Sequence, residues 1–548
     1  MHERRYDSPG GSERRFVRFG DGPVSIEDLV ALAYGGSRPA LSDDPAWRER
    51  LEQGRRALAG RVASGGGVYG LTTGVGASLG NRIDASVRDE LGATLPRLHG
   101  CGTGRILDEQ ESAAVVVARI ATLVRGFSAV RPALVERLVA LLDARLLPCI
   151  PAEGSVGASG DLTPLSYLAS AVAGEREVFW KGQPRPAREA LAALGLEPLG
   201  LEPREALALM NGTSAMTGLA CLAWWRAEAF ARTAAALTAM VSEATLGNPA
   251  HFDARLFAAK PHPGSVRVAL WLRSHLEGAP PRDPARLQDR YSIRCAPQVI
   301  GVLVDALASV RAMLEIELNG VDDNPLVDPE RGDVLHGGNF YGGHVCFAMD
   351  GLKSAAASVA DLLDRQMVLL CCPETSGGLP ENLVRVEGSR RFVHHGFKAM
   401  QITASALTAE AQKLTMPAAA FSRSTESHNQ DKVSLGTIAA RDALRVMELC
   451  EGVAAILVIA ACQALDLAGP ERSSPRSRAI LAAVREAVDP LGDDRRQDID
   501  IAKVVELLRS RTLPFGFDEA GAASAASIAS AAGKAVASDD PCPGPLRS

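Results

Sequence analysis

The sequence predicts a mainly α-helical fold, and three observations carry that expectation. Apolar residues recur at i, i+3 and i+4 through 112–125, 133–147, 205–247, 296–319, 347–370, 401–414, 438–467 and 479–488, the period of a helix face. Alternating β-branched runs, the mark of half-buried strands, are almost absent. The 438–467 stretch is apolar on more than one face, so it needs partners on several sides. That predicts a bundle, with burial between subunits.

Composition narrows the class. With 548 residues, 47% hydrophobic and 23% charged, the chain can bury a large core and is long enough for two or more domains. A net charge of −6 points to neither nucleic acid nor an anionic membrane as a partner. The longest apolar run, 453–465, contains Gln463 and is too short to span a bilayer. The first seven residues carry no apolar core of a signal peptide. Ten scattered cysteines form no C-x-x-C pair, as expected of a reduced, cytoplasmic chain without a zinc site. The ten histidines show no H-x-x-x-H spacing, so no metal site is expected.

Between the helices lie polar, Gly-rich loops, where binding groups usually sit. In order, Val68-Tyr69-Gly70-Leu71-Thr72-Thr73-Gly74-Val75-Gly76 does not match a dinucleotide fingerprint and presents one tyrosine. Gly154-Ser155-Val156-Gly157-Ala158-Ser159-Gly160-Asp161-Leu162 opens onto an apolar run from 162 to 173. By itself this is a loop leading into a helix. It lacks the last glycine of a hydrolase elbow. Ala158-Ser159-Gly160 also permits a rarer reaction. The Gly160 nitrogen, beside a carbon with no Cβ, can close on the Ala158 carbonyl. Dehydration at Ser159 then leaves a methylidene-imidazolone, an electrophile that no ordinary side chain supplies.

Asn211-Gly212-Thr213 and Gly338-Asn339-Phe340 set asparagine against glycine, first of all a turn signal. Gln288-Asp289-Arg290-Tyr291-Ser292-Ile293-Arg294-Cys295 precedes a long helix and offers an arginine suited to a carboxylate. Thr425-Glu426-Ser427-His428-Asn429-Gln430-Asp431-Lys432-Val433-Ser434 gathers polar groups before another helix, as a capping segment would.

Taken in order, these stretches with Asp323-Asn324-Pro325-Leu326 resemble the aromatic amino acid ammonia-lyase and aminomutase family, from about residue 24 to about 520. The resemblance implies the following. The fold is the long-helix bundle of the ammonia-lyase type, its core helices packed in a homotetramer with shared active sites. Residues 1–20 form a loose tail, 21–215 the region bearing the prosthetic group and a mobile tyrosine loop, 216–475 the central bundle, 476–534 a C-terminal helical region, and 535–548 a second tail. Ala158-Ser159-Gly160 cyclises to the methylidene-imidazolone, and no metal, pyridoxal phosphate or nicotinamide is needed. Tyr69 is the base for the β-proton. Arg294 pairs with the substrate carboxylate, helped by Asn339. Asn211, Gln288, Tyr291 and Phe340 line or support the ring. The G-S-S-x-M-P-x-K signature of the fumarase group is absent.

The same resemblance leaves the substrate divided. His99 stands where histidine enzymes have histidine, and Leu98 where tyrosine enzymes tend to have it. Asn429-Gln430-Asp431 is like the phenylalanine and tyrosine enzymes, because histidine enzymes carry a glutamate at Gln430. Val75 replaces a common phenylalanine, and Lys432 a histidine. A neutral amide favours a less cationic ring. The expected reaction is therefore loss of ammonia from tyrosine or phenylalanine to give a trans-arylacrylate. Histidine, giving urocanate, comes second. A 2,3-aminomutase giving a β-amino acid and a catalytically dead helical scaffold are the remaining alternatives.

Overall fold

The computed structural model describes residues 15–516 and is built almost wholly of helices. The tail expected at 535–548, and 517–534 of the C-terminal region, lie outside the described residues. So does most of the expected N-terminal tail, but Phe16–Phe19 is a strand paired in parallel with Arg38–Leu41. Val17 and Phe19 are buried there, so the apolar alternation of four residues outweighs the charged context around it.

The chain forms two compact units, each drawn from three separate stretches. Of the described residues, the first takes 15–225, 310–350 and 417–444, and the second 226–309, 351–416 and 445–516.

In the first unit the Glu109–Leu123 helix starts on a capping box in which Asp108 and Glu111 exchange hydrogen bonds with each other's backbone, satisfying two otherwise orphaned donors. From Glu111 to Leu123 every residue is buried. Its alanines admit close neighbours. A Cβ on Gly218, at the start of the Ser214–Ala244 helix, would stand 2.7 Å from the Ala114 carbonyl, so glycine is what lets the two backbones touch. Three shorter helices, Leu91–His99, Leu162–Val172 and Pro203–Met210, pack on one another. Four small sheets of two or three strands complete the unit.

In the second unit the Pro263–Leu276 and Ala296–Asn319 helices meet through Gly264 and Gly301. A Cβ on Gly301 would lie 2.6 Å from the Ser265 nitrogen. Glu451 is buried and accepts from both Arg226 and Arg509 at 2.7 Å, so its charge is paired where burial would otherwise penalise it.

The helices expected at 296–319 and 438–467 appear as Ala296–Asn319 and Gly436–Ala468. The stretch 205–247 is broken, however. Pro203–Met210 ends at Asn211, and Ser214–Ala244 begins three residues later. Residues 449–465 are all buried within the single chain, so this apolar helix needs no second subunit to cover it. Exposed apolar side chains stand instead at Val302, Ile316, Phe347 and Ile402. Among the described residues no helix is long and apolar enough to cross a membrane.

Candidate active site

The three mutually packed helices explain why distant residues converge. Leu98 and His99 end the first, Ser159 and Gly160 directly precede the second, and Asn211 directly follows the third. Together they wall a cavity of about 400 Å³, within the size range of small-molecule sites. Eight sequence-predicted residues line it: Tyr69, Leu98, His99, Ala158, Ser159, Asn211, Phe340 and Gln430. Val75, Glu426, Asp431 and Lys432 join them.

The loop before the second helix is held without constraining the nitrogen that would have to react. Gly212 donates to the Ser159 carbonyl at 3.3 Å, and Asp161 donates to the Gly212 carbonyl at 2.7 Å. Among the described residues the Gly160 amide between them donates to no acceptor. Gly160 has φ +70°, a region glycine enters without steric cost. A Cβ there would collide with the Gly212 carbonyl. The loop is also stitched from the other side, with Ser434 and Leu435 donating to the Gly157 and Val156 carbonyls at 3.2 and 3.0 Å. An unpaired glycine nitrogen, a tight turn and a serine in the cavity wall are what cyclisation of Ala158-Ser159-Gly160 requires. The tripeptide therefore fits the prosthetic group.

Beneath this loop lies a buried carboxylate layer that sequence reasoning missed. Asp161 accepts from the Met216 amide at 2.8 Å, from Ser155 at 3.2 Å and from Thr437. Its carboxyl is pushed up to about 6 by burial, against the pull of those hydrogen bonds. Thr213 donates its hydroxyl to Glu317 at 2.6 Å and its amide to Asp322 at 2.5 Å. Burial pushes Glu317 up to about 7. Arg119, fully buried, pairs with Asp322 at 2.7 Å and donates to the Asn211 carbonyl at 3.1 Å. Asn211 spends its own amide on Asp323 at 3.0 Å and the Asn324 carbonyl at 2.9 Å. The break at Asn211-Gly212-Thr213, a turn signal in the sequence, is thus fixed by Glu317 and 322–324, about a hundred residues away, which no local pattern announces.

Tyr69 hangs on the loop opposite Ser159. Its hydroxyl oxygen accepts from the Gly76 amide at 2.8 Å, and its own amide donates to His336 at 3.3 Å. Burial raises its pKa; the Gly76 hydrogen bond opposes this, and the Glu426 charge adds to it. His99 is held below its ordinary value by burial, so it is neutral near pH 7. Gln430 donates to the Ser159 hydroxyl at 3.3 Å.

The remaining expected residues stand elsewhere. Gly160 lies under the cavity rather than in its wall, and Asn339 is exposed, donating to the Val321 carbonyl at 3.1 Å. Gln288, Tyr291 and Arg294 belong to the second unit and do not line this cavity. The Arg294 guanidinium sits 4.5 Å from the Tyr291 ring centroid, in a cation–π contact, and donates to the Asp289 carbonyl at 3.0 Å. Tyr291 is 70% exposed.

The class to which this chain belongs is that of the carbon–nitrogen lyases. Residues 24–486 match the family model described as aromatic amino acid lyase, and the chain belongs to that family. It is 39% identical to the histidine ammonia-lyase of Gloeobacter violaceus over 489 residues, covering 88% of this chain and 94% of that one. It is 38% identical to the histidine ammonia-lyase of Aromatoleum aromaticum over 508 residues, 91% and 95% of the two chains. Among solved structures, the tyrosine aminomutase of Streptomyces globisporus superposes with a TM-score of 0.85 at 35% identity, over 90% of this chain and 97% of that one. The histidine ammonia-lyase of Trypanosoma cruzi does so with 0.84 at 32%, over 97% and 99%.

Proposed function

We propose that this protein removes ammonia from L-histidine to give urocanate, which corrects the lean toward tyrosine and phenylalanine drawn from Gln430. The carrying observation is the near-full-length similarity to histidine ammonia-lyases. The cavity supports it. Asp431 stands in its wall, so the missing charge at Gln430 does not leave the site without a carboxylate for an imidazole. Neutral His99 is available to hydrogen-bond a ring nitrogen.

The methylidene-imidazolone formed by Ala158-Ser159-Gly160 supplies the electrophile that makes the amine a leaving group. The chain's own residues do the rest. Tyr69 takes the β-proton, the electrons of that C–H bond become the new C=C bond, and the C–N bond breaks to release ammonia. Phe340 and Leu98 give the ring an apolar wall, and Gln430 keeps the Ser159 position oriented. Arg294 of the partner subunit binds the substrate carboxylate, with Tyr291 of the partner subunit beside it, in a homotetramer with shared sites. Two observations support that arrangement: Tyr291 is exposed, and neither side chain lines its own chain's cavity. The purified protein, given histidine, tyrosine and phenylalanine separately, is expected to generate the urocanate chromophore fastest. A dominant tyrosine or phenylalanine product would restore the aryl reading, which Gln430 favours. Absence of all three products, with no loss of two waters from Ala158-Ser159-Gly160 by mass spectrometry, would refute the lyase reading.

A further inference from the structure

Residues 425–430 form a turn of unusual backbone conformation. Glu426, Ser427 and His428 have φ of +50°, +54° and +62°, three left-handed non-glycine residues in succession, each with its Cβ crowded against the following carbonyl. Such an arrangement persists only where the surroundings hold it, and it clusters at working sites. Here Thr425 and Gln430 clamp the turn through paired backbone hydrogen bonds of 3.0 and 3.3 Å, and Ser424 meets the His428 ring nitrogen at 2.8 Å.

The turn aims Glu426 at the tyrosine loop. Both carboxylate oxygens accept from the Ala77 amide, at 2.9 and 3.0 Å. The preceding amide, Gly76, donates to the Tyr69 phenol at 2.8 Å. Two consecutive N–H groups therefore point one at the phenol and one at the carboxylate. Gly76, at φ +56°, allows this, and a Cβ there would stand 2.5 Å from the carboxylate.

We propose that Glu426 is a positioning residue for Tyr69: by holding the Ala77 amide it sets the Gly76 amide on the phenolic oxygen and fixes that oxygen in the cavity. This rests on the reading of Tyr69 as the base. The Glu426 charge by itself opposes ionisation of the phenol, whereas the Gly76 hydrogen bond that it sets in place favours the ionised form that accepts a proton. His336 faces the Tyr69 amide, and His99, Asp431 and Lys432 share its cavity wall. A Tyr69→Phe reference cancels their titration.

Two variants separate the roles. Glu426→Gln keeps an acceptor for Ala77 and loses the charge, whereas Glu426→Ala loses both. Phenol ionisation, read by ultraviolet difference absorbance against Tyr69→Phe, is expected about half a pH unit or more lower in Glu426→Gln. In Glu426→Ala, kcat is expected to fall roughly ten-fold or more with KM nearly unchanged. Cyclisation, read as loss of two waters by mass spectrometry, stays intact in both. An unmoved ionisation midpoint, a rise in KM alone, or loss of cyclisation overturns the proposal. If the parent protein turns over none of the three amino acids, the function reading fails, while the absorbance titration still decides the role of Glu426.

Discussion

Ser159 meets the rest of the cavity wall through one side chain, the Gln430 amide at 3.3 Å, while its backbone carbonyl is tied to Gly212. The hydroxyl is thus spared for dehydration, and the backbone around it is not free to move. Ser159→Ala is expected to abolish turnover, to remove the two-water mass deficit, and to leave the helical circular dichroism unchanged; activity near that of the parent would contradict the proposed electrophile. Gln430 tests the substrate from the same spot. Gln430→Glu adds a carboxylate beside the cavity and is expected to raise kcat/KM for histidine relative to phenylalanine by roughly ten-fold or more. Competition assays with the two amino acids would read it, and an unchanged ratio would remove this residue from the selectivity argument.

At the scale of elements, the loop ahead of Leu162–Val172 and the gap ahead of Ser214–Ala244 are one construction, joined by the Gly160–Gly212 bridge and floored by Asp161, Glu317 and Asp322. Glu317 makes the floor pH-sensitive. Its folded carboxyl is pushed up to about 7, above the ordinary carboxylate range. Between roughly 4.5 and 7 the folded state therefore holds a proton that the unfolded chain has lost. That contribution to stability is complete at low pH and disappears as pH rises through about 7. Glu317→Gln keeps an acceptor for Thr213 without the charge. Its stability relative to the parent is expected to grow with pH across that window, by on the order of 1–3 kcal/mol, measured by urea unfolding near pH 5 and near pH 8. A constant difference would refute it.

These elements also mark what the sequence made legible. Ala296–Asn319 was readable because its apolar period runs unbroken for 24 residues. Ala46–Ala63 was not, since only Trp47, Leu51, Gly54 and Leu58 are buried in a charged run. The tripeptide, Tyr69, His99 and Gln430 were readable in the sequence through the family resemblance of the stretches that carry them. Arg119, Glu317 and Glu426 were not, because each acts on a partner 90 or more residues away in sequence, and the left-handed turn that aims Glu426 contains no glycine to announce it.

On the scale of the whole molecule, the distribution of apolar surface argues for assembly. The longest apolar run is already covered, since residues 449–465 are buried in one chain. Uncovered apolar side chains recur on other long helices: Val302 at 61% exposed and Ile316 at 74% on Ala296–Asn319, Phe347 at 69% on Gly343–Cys371, and Ile402 at 69% on Lys398–Lys413. Large side chains exposed on several long helices are what a subunit interface leaves on an isolated protomer. Arg294 and Tyr291, absent from the cavity wall, would then reach a site only through such an interface. A charge placed there separates assembly from folding. Ile316→Glu and Phe347→Glu each set a carboxylate where an apolar contact is expected, which costs several kcal/mol per interface if desolvated. Sedimentation is expected to show a tetramer for the parent and smaller species for the double variant. The helical signal should persist, cyclisation should be retained, and activity should be lost together with assembly. A monomeric parent, or a dissociated variant with full activity, would refute the shared site and leave Arg294 without a role in it.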